Sequence, residues 1–213
     1  MMRLFPSCKI LSRFVGDRHG VSAIEFAMVL PILLAIFVGV IEFSRALDNR
    51  RKVSLLARTI ADLTSQAATT SPVSLAAMTD ILASSQLVLR PFKNDAVKIV
   101  VTALGLDLNI VNTAPRVCSS FAASGAVARS IGLAGDLTVP PGFRMPGMRY
   151  LLAEVQMPYT PVFGKNLMKF VGDIDNNFTF RSSVSWPVRA GTLFKPGLYN
   201  EIVLPNGSAC PLI

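Results

Sequence analysis

The strongest pattern in the chain is the run from Val21 to Val40, in which Glu25 is the single charged residue among Val, Ala, Ile, Phe, Leu and Met. A helix rises about 1.5 Å per residue, so about 20 residues cross a hydrocarbon core of about 30 Å. The run predicts one membrane-spanning helix over residues 21–43. Lys98 to Leu108 is also apolar but short, and it ends in a polar region, so one span is expected. Past the span, Val53, Leu56, Ile60, Leu63 and Ala67 recur at intervals of three and four, with Arg58, Asp62 and Gln66 between them. That stripe extends the helix from about 22 to 67, half of it in lipid and half offering an apolar face to a folded domain. Thr69-Thr70-Ser71-Pro72 then breaks the helix, with Ser71 as N-cap and Pro72 at the first position of the next one. Ser74 to Leu89 reads as that second helix, ended by Arg90-Pro91.

After Pro91 the pattern changes period. Val97 to Leu104 and Leu108 to Val111 are rich in β-branched residues, and Arg149 to Met157 is a further strand candidate. Phe178 to Val188 sets Phe178, Phe180, Ser182, Val184 and Trp186 against polar neighbours. Gly, Ala, Ser and Pro crowd the stretch from Cys118 to Pro146, which predicts loops. The expected fold class is α+β: a long N-terminal transmembrane helix continuing into an extracytoplasmic domain with a second helix and an antiparallel sheet. Its divisions are residues 1–20 as a basic leader, 21–43 as the span, 44–90 as a helical region and 91–213 as a mainly β domain.

Composition sharpens this picture. The hydrophobic fraction is 51% and the mean hydropathy is +0.49, with the excess concentrated in the span. The formal net charge is +8. Arg3, Lys9, Arg13 and Arg18 precede the span, and Arg45, Arg50, Arg51, Lys52 and Arg58 follow it directly. Basic charge thus brackets the membrane segment. A nucleic-acid surface would interleave basic and aromatic residues in a stripe, and none is present. Because both flanks are basic, the positive-inside rule barely discriminates between orientations.

Cysteine placement bears on orientation instead. Cys8 precedes the span, whereas Cys118 and Cys210 form an even pair in the large domain. They read either as a disulfide, expected if the domain lies outside the cytoplasm, or as two separate thiols. Closing a loop of about 90 residues contributes about 4 kcal/mol in the chain-entropy model. With the short N-terminus, the pair favours a cytoplasmic N-terminus and an exported C-terminal domain.

Glu25 needs its own account. A carboxylate in a membrane helix costs on the order of 2.5–3.5 kcal/mol at the centre and less near the interface. Either it reaches interfacial water, or it pairs. A cut after Gly20 would give Val21 a free ammonium group, and Glu25, five residues past the glycine, could then be neutralised by an N-terminal amine of its own or a neighbouring subunit. A secretory signal would need a shorter apolar core followed by a small-x-small cleavage site. Here the core is longer and Glu42-Phe43-Ser44-Arg45 follows it.

A basic leader, Gly20, four residues, then Glu25-Phe26 resembles the processing site of type IV prepilins, which a membrane aspartic peptidase cuts after the glycine. The fuller run is narrower. Gly20-Val21-Ser22-Ala23-Ile24-Glu25-Phe26-Ala27, Leu30-Pro31-Ile32-Leu33-Leu34 and Gly39-Val40-Ile41-Glu42-Phe43-Ser44-Arg45-Ala46 resemble the N-terminal signature of TadE-like proteins, pseudopilin-like components of the Tad (Flp) pilus system. Arg149 to Pro161 is similar to a second, weaker part of that pattern. Val21 stands where many type IV pilins carry Phe.

The resemblance implies a pilin-like fold and Gly20 and Val21 as the processing site. It further implies helix packing through Glu25, Phe26, Pro31 and Glu42. The partners it implies are a prepilin peptidase, other Tad pseudopilins, platform proteins and inner-membrane lipid, with a role in adherence. Pro31 also removes one backbone hydrogen bond from the helix, and the resulting kink either serves packing or is incidental.

Chemistry is sparse. The single histidine, His19, lies in the leader, so a mature chain would hold neither a histidine-based triad nor a histidine metal site. Asp173-Ile174-Asp175-Asn176-Asn177 begins like a calcium loop but lacks its glycine and closing glutamate. No phosphate or dinucleotide fingerprint occurs, and Asn206-Gly207-Ser208 reads as a turn. No catalysis, cofactor, nucleic acid or small-molecule substrate is expected. Two functional classes fit: a structural minor pseudopilin processed by a prepilin peptidase, and an uncleaved single-pass anchored periplasmic binding or sensor protein.

Overall fold

The computed structural model describes residues 19–67, 72–93, 95–108, 114–123, 125–162, 178–194 and 199–211. The leader up to Arg18, Ser71, residues 109–111 of one expected strand and Asp173 to Asn177 lie outside them. The chain divides into two compact units, Met1–Arg45 and Ala46–Ile213.

Helix α1 spans His19–Gln66, with Pro31 inside it. Its residues to 45 belong to the first unit and are largely exposed. From residue 46 it is part of the second unit, and Val53, Leu56, Ala57, Ile60 and Ala61 are buried there. The end of α1 is closed by chain from far away. The Ser65 carbonyl accepts the backbone N–H groups of Arg189 and Ala190 at 3.1 and 2.9 Å, satisfying a carbonyl that a helix terminus otherwise leaves open.

Helix α2 (Leu75–Ala83) begins where the Ser74 side chain accepts the Ala77 N–H at 3.2 Å. A short helix α3 (Ser85–Val88) follows a turn at Ser84. Five antiparallel strands come next: β1 (Lys98–Gly105), β2 (Arg116–Ala122), β3 (Gly132–Leu133), β4 (Arg149–Tyr159) and β5 (Phe178–Pro187), ordered β3-β2-β1-β4-β5. Strands β6 (Thr192–Phe194) and β7 (Tyr199–Glu201) form a separate pair. The fold is α+β.

The strand period of two sorts the sheet into two cores. Ile99, Val101 and Ala103 of β1 and Leu151, Ala153, Val155 and Met157 of β4 share one cluster with Val53, Leu56 and Ile60 of α1. Half-buried Phe180, Val184 and Trp186 of β5 join that cluster, in register with Met157, Ala153 and Leu151. The alternate residues Leu104, Tyr150 and Leu152 form a second cluster with Val117, Val139 and Met148. Phe143 stacks at 4.8 Å on Tyr150 there.

The structure revises two expectations. The second helix is not one segment from Ser74 to Leu89. Ser74 caps it, Pro72 stands before it, and the Ser84 N–H turns back to the Ile81 and Leu82 carbonyls. The stretch from Cys118 to Pro146 is not all loop. It holds most of β2, whose Thr102–Ser120 side-chain contact at 3.1 Å replaces an apolar cross-strand pair.

Candidate functional site

The outer half of α1 is apolar and exposed on every side. From Val21 to Phe37 every residue is exposed, including Phe26 at 62% and Phe37 at 63%. Soluble domains do not leave so large a contiguous apolar surface to water. The helix is long and apolar enough to cross a membrane, and α1's 48 residues exceed the roughly 20 a span requires.

This segment collects most of the residues singled out in the sequence. Because α1 starts at His19, the Gly20–Val21 bond lies in its first turn. Glu25 and Phe26 follow within the exposed stretch, and the helix runs through Pro31. Glu42 is half-buried near the end of the first unit. Cys118 and Cys210 belong to the other unit.

In that second unit α1 is seated on the sheet. Lys52 makes an ion pair with Asp48 at 3.6 Å, its Nζ donates to the Arg90 carbonyl, and it lies 5.7 Å over the Phe92 ring. About one turn before the end of α1 at Gln66, Asp62 gathers three donors. Its Oδ1 accepts the Trp186 indole N–H at 3.2 Å and the Arg189 guanidinium at 3.0 Å. Its Oδ2 accepts the Gln66 amide at 3.0 Å. Arg189 also lies 5.6 Å from the Trp186 ring.

Cys118 and Cys210 form a disulfide with Cα atoms 4.8 Å apart. Close by, Arg149 and Glu201 are each only 4% exposed. Arg149 Nη1 donates to the Leu106 carbonyl at 2.9 Å, Arg149 Nε is 3.7 Å from Glu201 Oε2, and Glu201 Oε1 accepts the Cys210 N–H. Burial pulls the guanidinium below its ordinary value and Glu201 acts against that fall. Burial likewise pushes the Glu201 carboxyl up, against the Cys210 N–H and Arg149. Burial also lifts the Tyr150 phenol to about 12.

A second charged cluster lies nearer the surface. Arg129 donates to both Glu154 oxygens at 2.6 and 2.8 Å and to Asp136 at 2.7 Å. The Glu154 hydrogen bonds raise the Arg129 guanidinium further above its usual range, and Arg129 holds the Asp136 carboxyl below the usual carboxylate range. Across the ends of β1, β4 and β5 runs an open groove of about 410 Å³, lined by Lys98, Gln156, Thr179 and Arg181 among others. Among the described residues, no cluster of His, Cys, Asp and Glu is arranged to hold a metal ion.

Sequence reasoning missed the Asp62 hub and the Arg149–Glu201 pair, because the partners are 124 and 52 residues apart along the chain. One local signal existed. Gly105 closes a strand rich in β-branched residues, and glycine there marks a close approach. A Cβ on it would lie 2.6 Å from both Arg149 Nη1 and Cys210 Sγ.

The family model described as TadE-like protein matches residues 20–62. That match covers α1 from Gly20 to Asp62 and ties this helix to the Tad pilus system in general. No curated protein and no solved structure matches the chain.

Proposed function

We propose that this chain is a TadE-like minor pseudopilin, a structural component of Tad (Flp) pilus assembly that supports adherence and carries out no catalysis. In this reading a prepilin peptidase cuts after Gly20, and the helix that then begins at Val21 stays in the inner membrane. The N-terminus faces the cytoplasm and the domain from residue 46 onward faces the periplasm. Other Tad pseudopilins and platform proteins pack against the apolar helix, and an N-terminal ammonium neutralises Glu25 as the helices associate.

The observation that carries this reading is a coincidence of position. The segment matching the TadE-like family, residues 20–62, contains both the wholly exposed apolar stretch from Val21 to Phe37 and the buried seat at Val53, Leu56 and Ile60. Lipid and partner helices are what such an exposed stretch is built to meet. The buried disulfide supports the exported placement of the domain, since such bonds persist in oxidising compartments. N-terminal sequencing of protein from cells with and without the peptidase tests the reading. A start at Val21 that depends on the peptidase is expected, and a chain that begins at Met1 in both cases overturns it.

A further inference from the structure

The last described stretch of the chain, residues 202–211, runs on from β7 with residues 202–205 buried, and beyond them only Cys210 is buried again. The Leu204 N–H donates to the buried Ser119 hydroxyl at 3.0 Å, the Val203 carbonyl accepts the Val73 N–H at 2.8 Å, and Ile202 and Leu204 enter the core beneath α1. At its far end Cys210 is bonded to Cys118. Cys118 is the extra residue of a β-bulge: Ala103 pairs with Ser119 and Leu104 with Val117, which leaves Cys118 between them without a partner on β1. A bulge re-aims side chains, and this one directs a thiol to the returning segment.

What the segment closes over is costly to bury. Arg149 and Glu201 are both withdrawn from water at an Nε–Oε2 separation of 3.7 Å. The attraction between two buried charges is offset by the hydration they give up, and burial displaces both groups toward their neutral forms against the pull each exerts on the other. The Cys210 N–H supplies one compensating hydrogen bond to Glu201, and only while Cys210 is in place. Gly105 completes the arrangement: β1, Arg149 and Cys210 converge on a spot that any side chain would fill.

We propose that the Cys118–Cys210 disulfide is a latch, formed by a thiol–disulfide oxidoreductase outside the cytoplasm, that holds residues 202–211 closed over the Arg149–Glu201 pair. The latch itself follows from the packing, and the compartment of its oxidation rests on the orientation proposed above. One chain thiolate attacks a sulfur of the oxidant's disulfide and forms a mixed disulfide. The oxidant's other sulfur leaves as a thiolate. The second chain thiolate then attacks the chain sulfur of the mixed disulfide and releases the oxidant as a dithiol. Two electrons and two protons pass from the chain to the oxidant, and no other co-reactant is needed.

Hydrogen–deuterium exchange on the full chain in detergent micelles, oxidised and reduced, tests the latch. Reduction should speed exchange in residues 202–211 at least tenfold while peptides across β4 keep their protection, and the C118S/C210S variant should behave like the reduced chain. Unchanged exchange in 202–211 would overturn the proposal, as would an equal rise across β4, which would make the bond a staple of the whole domain. Alkylation trapping in intact cells tests the compartment separately. The pair should be oxidised in cells and free when the extracytoplasmic thiol oxidant is deleted. Free thiols in unaltered cells, for a chain that latches when purified, would overturn the oxidation step and the orientation together.

Discussion

Trp186, near the end of the edge strand β5, donates its indole N–H to Asp62 of α1 at 3.2 Å across 124 residues of chain. The same carboxylate holds Gln66 and Arg189, so one half-buried side chain joins the end of the long helix to the edge of the sheet. Asp62→Ala removes the acceptor from all three donors. The exposed Arg189 contact contributes little, whereas the indole bond to a charged acceptor dominates the loss. Unfolding should be easier by about 1–2 kcal/mol. Thermal melts of the detergent-solubilised chain should show a Tm lower by several degrees.

Leu56 and Ile24 lie on one helix in opposite circumstances. Leu56 is fully buried against the sheet and Ile24 is 62% exposed. Leu56→Ala should destabilise the domain by about 2–5 kcal/mol, as a cavity-forming change does. Ile24→Ala should leave domain unfolding within about 0.5 kcal/mol of the parent. Urea midpoints followed by Trp186 fluorescence distinguish the two.

Gly20→Leu should leave the precursor uncut, because a peptidase acting on the Gly20–Val21 bond needs close approach of the backbone. Pulse-labelled cells should accumulate the full-length chain, and a normal mature band would refute the assignment of the cut.

Glu25→Ala should still enter the membrane, since it removes a carboxylate that costs on the order of 2.5–3.5 kcal/mol at a span's centre. It should nevertheless fail to support pili in a complementation assay. Wild-type piliation would show that no pairing through Glu25 is needed.

Acid stability depends on the cluster around Arg129. Arg129 holds the Asp136 carboxyl low. The contribution of Asp136 is therefore complete above the unfolded value of about 3.9 and is lost as pH falls through the folded one. Asp136→Asn should flatten the acid limb of a urea-midpoint profile below about pH 4 and leave the profile near neutrality almost unchanged.

Legibility in the sequence followed the range of the interaction. α1, β1, β4 and β5 declare themselves because each carries its own period of apolar residues, and Phe180, Val184 and Trp186 fall on the face their alternation assigns. β2 does not declare itself. Cys118, Ser119 and Ser120 are small and polar, and they are satisfied by Cys210, Leu204 and Thr102, which lie 92, 85 and 18 residues away. The break at Ser84 is equally silent, since Ser84-Ser85 inside an apolar helix pattern does not say where the backbone turns. In the candidate site, the residues of the exposed apolar stretch were readable from local chemistry. Asp62 was readable only as a polar spacer, because Trp186 and Arg189 reach it through the fold.

The seating of α1 on the sheet also sets a timetable. Leu56 is synthesised long before its neighbours in the core, Leu151 on β4 and Val184 on β5. At about 5–20 residues per second, the apolar stripe of α1 waits on the order of ten seconds for the strands that cover it. During biogenesis that stripe is open to chaperones and to premature association until the strands arrive.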